Sequence, residues 1–273
     1  MNKNEVTIGL IGCGAMGSAL AKGMVERGGV APDSVYLYDL NKERQAKLAE
    51  ELNANNTDSY EDLVPKCRIL FIAVKPQDTG GLLNEISQFI KHDQLVISIA
   101  AGISISFIKS CLPAETKIVR LMPNTPCLIG SGTIVISIGE TVTEVEFKAV
   151  EELLKPLGLT IRLPEKLMNA ATGLSGTGPA YVFLFIETMI DAGVSVGIRR
   201  DVASKMVIQN VIGSAMMLED NNGKHPAELR NAVTSPAGTT AAALHILEDS
   251  GFRSCLLKAV IEATKRSEEL SRG

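Results

Sequence analysis

The sequence predicts a two-domain α/β protein, a doubly wound parallel sheet followed by an all-α second half. Three observations carry that expectation. Up to residue 163, short apolar runs alternate with amphipathic stretches, as parallel strands covered on both faces do. A Gly-x-Gly-x-x-Gly loop follows the first run and opens a helix. Beyond Pro164 no strand period returns, and Ala, Met and Leu recur at helical spacing. The boundary at 163/164 gives domains over 1–163 and 164–273.

Strands are expected at Val6–Ile11, Val35–Asp39, Ile69–Val74, Leu95–Ile99, Ile118–Leu121 and Thr133–Ile138. Helices are expected between them at Met16–Arg27, Lys42–Leu52, Gly80–Ile90 and Ser104–Leu112. Thr143-Glu144-Val145-Glu146 reads as a capping box, opening a helix that runs towards Pro156. A last strand, Leu159–Leu163, stops at Pro164. Helices follow at Glu165–Thr172, Pro179–Ala192, Asp201–Glu219, Ala227–Val233, Thr240–Glu248 and Phe252–Ser271. Tyr181–Ile190 is apolar nearly all round, which predicts a buried helix at a subunit interface. Met189, Met206, Met216 and Met217 read as core.

Composition narrows the function classes. The 273 residues are 45% hydrophobic and 21% charged, enough to bury a sizeable core. A net charge of −4 argues against a nucleic-acid binder, and 4% aromatics without Trp argue against stacking platforms. The five cysteines form no Cys-x-x-Cys pair and the three histidines are far apart, so neither a disulfide framework nor a metal site is expected. Met1-Asn2-Lys3-Asn4-Glu5 leads into a glycine-broken run, which does not read as a signal peptide. No apolar stretch reaches the roughly 18 residues of a membrane span. A soluble, cytoplasmic protein is expected.

The glycine loop is Ile11-Gly12-Cys13-Gly14-Ala15-Met16-Gly17. Gly12 permits a tight turn, Gly14 lets a pyrophosphate approach the backbone, and Gly17 lets helix and strand pack closely. Asp39 closes the second strand, 22 residues past Gly17 (39 − 17). An acid there accepts hydrogen bonds from the adenosine ribose and repels a 2′-phosphate, favouring NADH over NADPH. Capping the helix over Asn41–Leu52 is its structural alternative. Lys42 and Arg44 follow closely enough to tolerate a 2′-phosphate. Cys13 reads as a small filler whose backbone alone lines the loop.

Further along, Ala73-Val74-Lys75-Pro76, Ala100-Ala101-Gly102 and Met122-Pro123-Asn124-Thr125-Pro126 each end a strand, where parallel sheets bind ligands. Thr172-Gly173-Leu174-Ser175-Gly176-Thr177-Gly178-Pro179-Ala180-Tyr181 and Val233-Thr234-Ser235-Pro236-Ala237-Gly238-Thr239-Thr240 are glycine-containing turns that open helices. With Leu244-His245-Ile246-Leu247-Glu248, these blocks resemble the pyrroline-5-carboxylate reductase family over essentially the whole chain. The resemblance implies a Rossmann-type first domain and an all-α dimerisation and substrate domain that interlocks with a second copy, dimers often assembling into decamers. It implies reduction of 1-pyrroline-5-carboxylate to L-proline with NADPH or NADH, without metal.

Cofactor contact is expected from Ile11–Gly17, Asp39, Ala73, Val74, Lys75, Pro76, Ala100, Ala101 and Asn124. Solvent exposure for Lys75 and a purely turn role for Asn124 are the alternatives. The Ser235–Thr240 turn would present helix N–H groups to the substrate carboxylate, although spacing alone favours an ordinary Ser/Thr cap. The resemblance carries substrate contact onto Gly238, Thr239 and Thr240, with Thr240 as hydrogen-bond or proton donor. It also carries substrate contact onto Glu165, which alternatively reads as a first-turn surface residue. Ser175 and Thr177 admit the substrate ring or nicotinamide, or form only an inter-helix turn. His245, five residues past Thr240 (245 − 240), reads as packing or interface. Ala237 stands where the family commonly has Gly, a change the turn is expected to tolerate.

Overall fold

The computed structural model describes residues 6–220 and 223–272. Met1–Glu5, the segment weighed as a signal peptide, lies outside the described residues. In chain order the first part runs β1 (Ile8–Ile11), α1 (Ala15–Lys22), β2 (Val35–Tyr38), α2 (Lys42–Leu52), β3 (Asn55–Asn56), α3 (Tyr60–Leu63), β4 (Ile69–Ile72), α4 (Pro76–Ile86), β5 (Leu95–Ser98), α5 (Ile105–Cys111), β6 (Lys117–Met122), β7 (Gly132–Ile138), α6 (Glu144–Leu154) and β8 (Gly158–Arg162). The strands form one sheet in the order β3-β2-β1-β4-β5-β6-β7-β8. Alternate side chains enter opposite cores: Leu10, Phe71 and Ile97 on one face, Ile11, Ile72 and Val96 on the other. Both faces are therefore covered, which is why these strands read as unbroken apolar runs.

The expected strands all form, with ends that move by one or two residues. One pairing departs from the parallel expectation: β7 runs antiparallel to β6. Only nine residues separate them (131 − 122), fewer than the dozen or so that a parallel crossover needs. β3 was not foreseen, because two asparagines carry no hydrophobic period. The helix expected over Met16–Arg27 widens into a π turn at Gly23–Arg27. The one expected over Gly80–Ile90 starts at Pro76, whose missing N–H costs nothing at a first helical position. The Thr143 capping box forms, with Thr143 Oγ1 accepting from Glu146 N–H and Glu146 Oε2 accepting from Thr143 N–H.

The chain divides into two compact units: residues up to Thr177 together with those from Glu262 onward, and Gly178–Ile261. That division falls later than 163/164 because α7 (Met168–Ala171) packs Met168 and Ala171 against Met122 and Val135. The second unit contains α8 (Gly178–Ser195), α9 (Arg200–Asp220), α10 (Pro226–Ala232), α11 (Thr239–Asp249) and the first half of α12 (Phe252–Arg272), up to Ile261. The end of α12 belongs to the first unit. There Ser267 and Ser271 hydroxyls donate to Asn169 Oδ1 at 2.9 and 3.1 Å. Among the described residues, no helix is long and apolar enough to cross a membrane.

The expected burial of Tyr181–Ile190 does not occur within one chain. None of α8 is buried, with Phe183 62% and Leu184 64% exposed. Met189, Met206, Met216 and Met217 are exposed too, so they are not core of this chain. A helical layer this thin cannot surround an all-round apolar helix, and so large an exposed apolar surface marks an association site. Light scattering at micromolar concentration should therefore report a dimer or larger species. Phe183→Glu with Leu184→Glu should move it towards monomer; a monomeric wild type would contradict this.

Candidate active site

The glycine loop leaves the buried end of β1 at Ile11. Gly12 has φ +105°, and its N–H donates to Tyr38 O at 2.8 Å. A Cβ on Gly12 would lie 2.5 Å from Ala73 O, and one on Gly17 would lie 2.0 Å from Gly12 O. Neither position accepts a side chain. Gly14 is different: a Cβ there would meet nothing within 4 Å, so its bare backbone faces open space. Gly14 is also the N-cap of α1 and supplies no side-chain cap. Ala15 and Met16 begin that helix, whose first N–H groups suit a phosphate.

Asp39 is buried at the end of β2, and its two oxygens divide their work. Oδ2 accepts from Cys13 N–H at 2.6 Å, which pins the glycine loop. Oδ1 accepts from Asn41 N–H at 2.8 Å and Arg44 Nη2 at 3.1 Å. The helix-cap alternative fails, because α2 is capped by Asn41, whose side chain accepts from Arg44 N–H. The Cys13 bond was not foreseen; a backbone donor inside the loop carries no sequence mark. Burial, then the Asp39 charge, push the Cys13 thiol up to about 12, so it stays protonated. Lys42 is engaged by Gln45 Oε1 and lies 4.1 Å above the Tyr38 ring. The Arg44 side chain is half exposed.

Ala73 and Val74 follow β4, with Ala73 N–H donating to Ile11 O at 2.8 Å. Lys75 is exposed at the N-cap of α4, and Pro76 is the first helical residue. Ala100 is buried and Ala101 exposed after β5. Gly102 has φ +78° and sits beneath Leu270 O of α12. The ends of β1, β2, β4, β5 and β6 are parallel, so these residues share the carboxyl edge of the sheet. Asn124 is buried there as a loop tie. Its Nδ2 donates to Ser175 O at 3.2 Å and its Oδ1 accepts from Thr133 N–H at 2.8 Å. Ser175 lies in a π turn, Thr172–Gly176, and Thr177 Oγ1 donates to Gly173 O at 2.8 Å. Glu165 Oε1 accepts from Ile105 N–H at 2.7 Å and Arg120 Nη1 at 3.1 Å.

In the second unit, Ser235-Pro236-Ala237-Gly238 closes a turn through Gly238 N–H to Ser235 O at 3.1 Å. Gly238 is the N-cap of α11 and provides no side-chain cap. Thr239 and Thr240 are its first residues, and their hydroxyls make no hydrogen bond among the described residues. The Ser/Thr-cap alternative is thus not the one this turn adopts, and its helix N–H groups stand open beside free hydroxyls. His245 is exposed on α11. The turn closes with Ala237 at φ +56°: Pro at the second position and a left-handed third follow a type II turn, which favours Gly, so the alanine is strained there.

Two family matches divide the chain: NADP oxidoreductase coenzyme F420-dependent over residues 7–102, and pyrroline-5-carboxylate reductase dimerisation over residues 165–270. The chain is 40% identical to the pyrroline-5-carboxylate reductase of Methanosarcina acetivorans, covering 97% of this chain and 98% of that protein. It is 37% identical to that of Escherichia coli, covering 98% and 99%. A Plasmodium falciparum pyrroline carboxylate reductase, solved with NADP bound, superposes with a TM-score of 0.90 at 34% identity, covering 98% and 99%.

The left-handed Ala237 makes a prediction. An L-residue there is strained by about 1–2 kcal/mol, more than the ~0.4–1 kcal/mol by which Gly loosens the unfolded chain. Ala237→Gly should raise the melting temperature by ~1–3 °C, and Ala237→Val should lower it. Calorimetry decides; a lower melting temperature for Ala237→Gly would show the turn unstrained.

Proposed function

The chain belongs to the pyrroline-5-carboxylate reductase family, and on that premise we propose that it reduces 1-pyrroline-5-carboxylate to L-proline, the last step of proline synthesis. The observation that supports this most directly is the open N-terminus of α11, with Thr240 unpartnered beside it. The glycine loop fits a nicotinamide dinucleotide: side-chain-free backbone at Gly12 and Gly17 and open space at Gly14 leave room for the pyrophosphate at α1. When bound, the reduced cofactor supplies a hydride to the imine carbon.

The protein's own groups then position and protonate. The substrate carboxylate is held by the N–H groups that open α11, where the helix dipole favours an anion. The hydroxyl of Thr240 donates to the ring nitrogen of the neutral imine and passes it a proton, recovered from solvent, as the ring carbon gains the hydride. Proton gain at nitrogen makes that carbon a strong electrophile, so positioning dominates over acid strength. In this reading Gly238, Thr239, Ser175 and Thr177 contact the substrate, and Ala73–Pro76, Ala100, Ala101 and Asn124 contact the cofactor. The protein forms an oligomer; we propose dimers, assembled further into decamers, with each active site drawing on two copies. In this reading the reaction takes place in the cytoplasm.

Two experiments test the residues. Asp39→Ser removes both the like charge that opposes a 2′-phosphate, worth ~1–3 kcal/mol, and the acceptor of Cys13 N–H. The NADPH-to-NADH ratio of kcat/KM should rise about 10-fold, and the melting temperature should fall through loss of buried hydrogen bonds. A wild type that strongly prefers NADPH, unchanged in the variant, contradicts this.

Thr240→Ala should lower kcat by ~10²–10⁴-fold while melting temperature and cofactor affinity hold, because Thr240 caps nothing. Thr240→Ser should retain most activity. Near-normal turnover with pyrroline-5-carboxylate in Thr240→Ala would remove its catalytic role.

A further inference from the structure

Arg120 is a charge in the middle of a core strand. It lies on β6, on the same face as buried Ile118, and is 3% exposed. Its neighbours in register are Ser98 of β5 and Ser137 of β7, both buried. Only its Nη1 has an acceptor, Glu165 Oε1; Nε and Nη2 are buried without one. A guanidinium so poorly partnered is a net cost to stability, and an apolar side chain of similar volume would serve the core better. Its placement therefore answers to something other than folding free energy.

What the guanidinium holds is Glu165, the first residue of the stretch that ends in the Ser175 turn. The same Oε1 accepts from Ile105 N–H, the start of α5, which follows the Ala100–Gly102 loop. Four residues beyond Arg120 on the same chain (124 − 120), Asn124 donates to Ser175 O. One continuous segment, Arg120–Asn124, thus grips the Glu165–Gly176 stretch at both ends. Between those grips, Asn169 is pinned by Ser267 and Ser271. We propose that Arg120 is a positioning residue for the reaction: through Glu165 it sets where the Ser175–Thr177 turn stands at the sheet edge. Glu165 then acts on the substrate through the turn and not by contact. This inference rests on the reductase reading.

The test separates position from stability. Arg120→Met combined with Glu165→Gln removes both charges, while the amide oxygen still accepts from Ile105 N–H. The melting temperature should stay level or rise. KM for pyrroline-5-carboxylate should rise fivefold or more with kcat within threefold, the mark of lost binding shared by ground and transition states. Cofactor affinity, by fluorescence titration, should stay within twofold. Arg120→Lys keeps the charge but not the planar fork and should give an intermediate KM. Should the double variant fail to fold, Arg120→Lys alone decides. KM within twofold of wild type in the variants that fold would overturn the proposal, as would a fall in melting temperature with KM unchanged. Wild type in the same assay separates the two readings. No turnover there removes the reductase reading and this inference with it; turnover with an unmoved KM removes only the role of Arg120.

Discussion

The side-chain-free contact between Gly12, Gly17 and Ala73 is the constraint on which the carboxyl edge depends. A Cβ at either glycine would overlap a backbone carbonyl, of Ala73 or of Gly12, and both residues are tied just past their strands by N–H bonds, Gly12 to Tyr38 O and Ala73 to Ile11 O. That contact brings α1 down onto β1 and β4, which aims its N-terminus across the edge. Asp39 then fixes the loop from the neighbouring strand by accepting the Cys13 N–H. The carboxylate has two tasks at once: it shapes the loop and sets the charge met by the ribose end of a dinucleotide. Arg44, paired with its second oxygen and half exposed, is the only cation bonded to it among the described residues. The charge at this corner is therefore partly balanced before any cofactor arrives.

The second unit is built on the opposite economy. Its helices leave apolar faces open, and its turn at Ser235–Gly238 holds an alanine in a left-handed conformation. Open faces and strain both lower the stability of an isolated chain. They agree with a region completed by association, as the match to a dimerisation family over 165–270 describes. The strained residue directly precedes the N-cap of α11, so the geometry that presents Thr239 and Thr240 is over-determined by the turn.

The buried and partly buried polar groups of the first unit follow a pattern. Asn124, Asp39 and Glu165 each join two or three strand-end segments by accepting or donating to backbone. A loop edge cannot be held by apolar packing alone, because its backbone N–H and C=O groups must be satisfied. Side-chain ties of this kind are the remedy. They hold the loops in one arrangement without closing the crevice between them.

Much of this was legible in the chain itself. Unbroken apolar runs and the glycine spacing determined the sheet, its two covered faces and the dinucleotide loop, because strand burial and backbone approach act over neighbouring residues. The Thr143 box and the helices of the second half were legible for the same local reason. Others were decided only by tertiary structure. β7 reversed because its connection was too short; β3 formed only because β2 offered an edge. The apolar α8 was expected at a subunit interface and stands exposed in the single chain, since periodicity says that a face wants covering but not which molecule covers it. The bonds of Asp39 to Cys13, Asn124 to Ser175, and Glu165 to Ile105 and Arg120 likewise join residues 26 to 60 positions apart. Such bonds are set by where folding brings two distant backbones together, which no local pattern of residues encodes.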